Sequence, residues 1–153
     1  MRLIVPALLL LIASSCNKPQ QIDQIYIRES GGIATDITVN GHGRGRFRVA
    51  NYPKEKSGSF SWSPKHFSEL QKRLEPFRTK AVPVTRESAE YFVMEPCHKG
   101  VPFMFDAGAV YIRWTGPRVD EHYLADLGCD YKRNAKRNDE LLDIVKSFPI
   151  PSL

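Results

Sequence analysis

Between residues 33 and 39 the side chains change character at every step. Ile33, Thr35, Ile37 and Val39 are apolar or β-branched, and Ala34, Asp36 and Thr38 stand between them. A period of two belongs to a strand with one buried face, because successive Cβ atoms point to opposite sides of a pleated chain. Such a strand needs neighbours, and the flanking sequence supplies them. Ile22, Ile25 and Ile27 precede it across Gly31-Gly32, a two-glycine turn signal. Asn40-Gly41-His42-Gly43, rich in residues that tolerate positive φ, follows, and Phe47 and Val49 alternate again. Residues 54–58 are polar and read as a loop, after which Phe60 and Trp62 supply a fourth strand. An antiparallel meander is the simplest connection.

Ser63-Pro64 then reads as a helix start, with a capping hydroxyl and a proline where no backbone donor is needed. Phe67, Leu70, Leu74 and Phe77 follow at helical spacing, and Pro76 is expected to close the helix near Glu75. Residues 79–90 read as a connection. In the second half, 91–94, 103–105, 110–114 and 121–127 are strand candidates. Asn138 opens a closing helix that carries Leu141, Leu142, Ile144, Val145 and Phe148 and stops at Pro149. Each half therefore runs strands-then-helix. The expected class is α+β, an antiparallel sheet with two helices packed on one face.

Residues 1–15 have the build of a cleavable secretory signal: Arg2 at the start, an apolar run over 3–12, then small Ala13, Ser14 and Ser15. The run is broken by Pro6 and falls short of the roughly 20 residues a membrane-spanning helix requires. Its end, Ala13-Ser14-Ser15-Cys16, resembles the lipobox of bacterial lipoproteins, in which small residues precede an acylated cysteine. The likeness covers 12–16 and departs from the family at Ala13, where Leu is usual. It implies that Cys16 carries the lipid, palmitate among its acyl chains, and begins the mature protein. Asn17 takes the place of the Asp that holds enterobacterial lipoproteins at the inner membrane, so the resemblance implies the outer membrane, facing the periplasm. Residues 16–21 then form the lipidated tether and 22–153 a single domain. The chain has three cysteines, so a lipid on Cys16 leaves Cys97 and Cys129 as a pair, whereas simple secretion leaves one thiol over. Their bridge would close a loop worth roughly 3 to 4 kcal/mol in the chain-entropy account, and the pair lacks the close Cys or His companions of a zinc site. The stretch from Cys97 through Trp114 to Gly128-Cys129 also resembles a hairpin arrangement in small uncharacterised exported proteins of Gram-negative bacteria, which implies no activity.

The formal charge is +5, lowered by one when Arg2 leaves with the signal. In an exported protein such a bias points to anionic headgroups, lipopolysaccharide or wall polymers and away from nucleic acid. Arg44, Arg46 and Arg48 are spaced by two and project from one side of a strand, a stripe suited to phosphate or carboxylate groups or, more plainly, a solvated face. Lys132, Arg133, Lys136 and Arg137 form a second basic run that could join the stripe if both lay on one side, with Trp114 capping the surface. Asp120, His122 and Asp126 share a strand face with Leu124, a candidate acid–base or metal cluster set against ordinary surface polarity. The four histidines show no metal spacing, and no G-x-S-x-G or phosphate-loop motif is present. The reading is a non-catalytic envelope lipoprotein, without cofactor or metal, that binds a protein or an anionic polymer. A small envelope hydrolase using Asp120 and His122, or an inhibitor of a hydrolase, is the alternative.

Overall fold

The computed structural model describes residues 21–94 and 97–151. The expected signal peptide, Cys16 and all but the last residue of the expected tether lie outside them. In chain order the elements are β1 (Gln24–Ser30), β2 (Ala34–Asn40), β3 (Arg44–Asn51), β4 (Lys54–Ser61), α1 (Pro64–Arg78), β5 (Val82–Pro83), α2 (Arg86–Met94), β6 (Ala109–Gly116), β7 (Val119–Asp126) and α3 (Ala135–Lys146). The strands form one sheet in the order β4-β3-β2-β1-β6-β7-β5, with every neighbouring pair antiparallel.

Register turns the alternation into two unlike faces. Ile25 stands opposite Val39 on one side and Trp114 on the other, and Ile27 opposite Ile37 and Ile112. This inner row is essentially closed to solvent and receives Phe67, Leu70, Leu74 and Phe77 of α1 and Leu141, Ile144, Val145 and Phe148 of α3 in one cluster. The expected α+β sheet with a disulfide is present, and two helices do share a face. Cys97 and Cys129 are bonded, their Cα atoms 5.4 Å apart.

Among the described residues there are three helices, not two. Residues 91–94 belong to α2 rather than to a strand, because a reciprocal cap starts a helix upstream: Ser88 N–H donates to Thr85 Oγ1 at 3.1 Å and Thr85 N–H to Ser88 Oγ at 3.0 Å. This local pairing decides between two readings that an apolar tetrad alone leaves open. α2 meets the outer face, where its Ser88 and Phe92 contact His122. The second half thus does not repeat the first.

Four further boundaries moved. Ser63 caps α1 as expected, but the helix runs through Pro76 to Arg78. The carbonyl that Pro76 deprives of a donor belongs to exposed Lys72, where water can serve, while buried Phe77 anchors the last turn. Residues 54–58 are strand, not loop: β4 pairs with β3 along its whole length after the tight turn at Tyr52-Pro53. Residues 103–105 form a loop pinned by a single bridge, Phe103 to Cys129. Finally, α3 starts at Ala135, and Asn138 is a buried tie whose Nδ2 donates to Leu127 O at 2.9 Å.

Candidate anion-binding face

β3 reads exposed–buried in strict alternation, so Arg44, Arg46 and Arg48 project outward while Gly45, Phe47 and Val49 face the core side. Two glycines set this ribbon in place. Gly43 turns the chain at φ +77°, and a Cβ there would lie 2.0 Å from Trp62 O. Gly45, between two arginines, lies under the Phe60 ring, which a Cβ would meet at 2.1 Å. A larger residue at Gly43 would collide with the Trp62 backbone, and one at Gly45 would displace the Phe60 ring.

The cations of the outer face then divide. Asp36 is a hub: it accepts from Tyr26 Oη at 2.5 Å, with Arg28 at 3.8 Å and Arg48 at 3.7 Å. Burial, then the Asp36 carboxylate, pushes the Tyr26 hydroxyl up to about 12. Arg48 also donates to Glu55 at 2.9 Å, and that bond holds the Glu55 carboxyl below its ordinary range. Arg113 forks onto Asp120 through bonds of 2.7 and 2.8 Å, which lower the Asp120 carboxyl in turn. Arg44 and Arg46 make no ion pair or side-chain hydrogen bond with any described residue.

These two line a groove of about 560 Å³ with Gln24, Thr38, Asn40, Ser59 and Ser61, and no carboxylate lines it. Asn40 Oδ1 accepts the backbone N–H groups of His42 and Arg44, both at 3.1 Å, so its amide NH₂ remains to donate. The result is two uncompensated guanidinium groups among hydroxyls and amides. Such a set of donors can hydrogen-bond an oxygen-rich anion.

The other candidates are committed elsewhere. His122 is not exposed: it is 2% accessible, with Nε2 at 2.8 Å from Ser88 Oγ, Nδ1 at 3.1 Å from Tyr111 Oη and the Phe92 ring tilted against it, centroids 4.5 Å apart. Burial, then the Arg113 charge, lowers its pKa and favours the neutral ring. Asp120 is held by Arg113, and Asp126 Oδ1 accepts the N–H groups of Gly128 and Cys129 in the turn after β7. The three do not form a cluster, and among the described residues no three His, Cys, Asp or Glu side chains gather as metal ligands. The Ser88–His122 contact, which sequence reading missed, resembles a nucleophile and base. Yet Ser88 Oγ is occupied as the α2 cap and also lies 2.9 Å from Pro83 O, so the group acts as a pin between helix and sheet. Its only sequence signal is the Thr85-x-x-Ser88 spacing.

The second basic run does not join the stripe. It leads into α3, which packs on the inner face. Arg137 is spent on Asp126 O at 2.7 Å and on Asn138 Oδ1, and Lys136 lies 3.9 Å from Glu140. Trp114, 1% exposed, is core and caps no surface. His42 and His98 are exposed singly, and His66 bonds Ser63 at the start of α1.

No protein-family model matches the chain, and no curated protein matches it. Among the described residues no helix is long and apolar enough to cross a membrane.

Proposed function

We propose that this chain is a lipid-anchored protein of the bacterial envelope, held through Cys16, that binds an anionic partner with its open sheet face and catalyses no reaction. The observation that carries the reading is the division among five outward arginines. Arg28, Arg48 and Arg113 are neutralised by carboxylates of the same face, whereas Arg44 and Arg46 are not, and they flank a groove with no acidic lining. Two bare charges side by side repel each other, a cost that an incoming anion reverses. The partner is an anionic envelope polymer or an acidic protein segment. Against a hydrolase, His122 and its Ser88 partner are both engaged in holding α2, and Asp120 is held by Arg113.

The test is capture on an immobilised polyanion, heparin serving as probe. The double variant Arg44→Ser, Arg46→Ser should lose retention at low salt while its melting temperature stays that of the parent. Retention equal to the parent would remove the reading.

A further inference from the structure

We infer that the groove at Arg44 and Arg46 receives the phosphate group of an anionic lipid in the same bilayer that holds the chain's own acyl tail. This rests on the function proposed above and adds the identity of the anion. The first argument is position. Gln24 both opens β1 and lines the groove, and its neighbours across the sheet, Asn40 and Thr115, mark the end at which the chain enters the domain. Eight peptide steps separate Cys16 from Gln24, so even a fully extended tether spans roughly 28 Å. A lipid on Cys16 therefore keeps the groove close to the headgroup layer.

The second argument is chemistry. Arg44, Arg46, the free Asn40 amide and the hydroxyls of Thr38, Ser59 and Ser61 can all donate to phosphate oxygens. A zwitterionic headgroup brings an ammonium as well, and the groove offers no carboxylate to receive it. The site therefore favours a headgroup such as glycerol phosphate over choline or ethanolamine phosphate. The third argument is the placement of exposed apolar side chains. Tyr52, 98% exposed, and Phe105, 82% exposed, lie in loops at the opposite end of the sheet, beyond the Ala34–Ala50 and Ser30–Ala109 pairs. The two most exposed rings are thus not available to insert at the tethered end, and contact through the groove is electrostatic and sensitive to salt.

The test uses the native lipidated protein reconstituted in vesicles, either of phosphatidylcholine alone or of equal parts phosphatidylcholine and phosphatidylglycerol. Arginines are labelled with a dicarbonyl reagent and each site is read by mass spectrometry. We expect Arg44 and Arg46 to react several-fold more slowly in the phosphatidylglycerol vesicles, the difference to vanish at high salt, and Arg133 to react alike in both. Equal rates at Arg44 and Arg46 in the two vesicles would overturn the inference. A parallel arm adds inorganic phosphate to phosphatidylcholine vesicles. Protection there without protection by phosphatidylglycerol overturns the lipid assignment and leaves anion binding standing, whereas protection in neither arm removes both. A purified protein whose Cys16 carries no acyl chain overturns the inference at its premise.

Discussion

The two faces of the sheet are built from the same strands and differ only in which alternate residue points to which side. On the inner face Ile25, Ile27, Ile37, Val39, Ile112 and Trp114 are each at most 1% exposed and meet α1 and α3. On the outer face the intervening residues include Tyr26, Arg28, Asp36, Arg46, Arg48 and Arg113. The inner face is specified by apolar area, which needs no particular partner for each side chain. The outer face is specified by pairing, and it is incomplete where two arginines lack carboxylates. Stability and binding should therefore respond to different substitutions.

The largest effect belongs inside. Trp114→Ala should cost about 3 to 5 kcal/mol in denaturant unfolding, with polyanion retention unchanged wherever the variant remains folded. A loss of binding in the folded variant would break the separation of the faces. Next comes the staple: Cys97→Ser should lower unfolding free energy by roughly 2 to 4 kcal/mol, and labelling should find a new thiol at Cys129.

A pH effect follows, at the place where α2 crosses to the outer face. The folded pKa of His122 lies below its ordinary value. Between the two values the unfolded chain binds the extra proton, so stability rises with pH there. Its contribution is complete above about 6.5, the unfolded value, and is lost as pH falls through the folded pKa. Thermal unfolding across this window should slope accordingly, and His122→Gln should flatten it. An undiminished slope in the variant would assign it to other groups.

The smallest stability effects lie among the outer arginines and sharpen the comparison most. Arg48→Ser removes its exposed pair to Glu55 and its longer contact with Asp36 and should leave the unfolding midpoint nearly unchanged. Arg46→Ser removes no pair and should stay within about 0.5 kcal/mol, yet it should weaken anion retention more than Arg48→Ser does. The opposite ranking in retention would show that free charge is not what the partner selects.

Much of the inner face was legible beforehand, since a strand with one buried side declares itself by alternation and Ser63-Pro64 declares a helix start. What failed is instructive. The stretch 54–58 reads as loop because over these residues both faces of β4 are polar and exposed at the sheet's edge, before Phe60 brings an apolar side chain. α2 was hidden because its cap, Thr85 with Ser88, is written in small polar residues that also mark turns. The arginine stripe was visible by spacing, and the sides its members take came out as expected. Their division into paired and bare was not visible, because Asp36 and Glu55 reach Arg48 only through the registers of β2 and β4 with β3. Nor could spacing show that Arg137 would be spent on a backbone carbonyl.

The central claim is that the bare arginines of the outer face, rather than basic charge in general, seat the anion. Titration of the isotopically labelled protein with inorganic phosphate, followed residue by residue by NMR, tests it directly. Amide shifts should concentrate at Thr38, Asn40, Arg44, Arg46 and Ser59 and leave Lys132 and Arg133 unmoved. Shifts centred on Lys132 and Arg133, or spread evenly over all exposed cations, would contradict it.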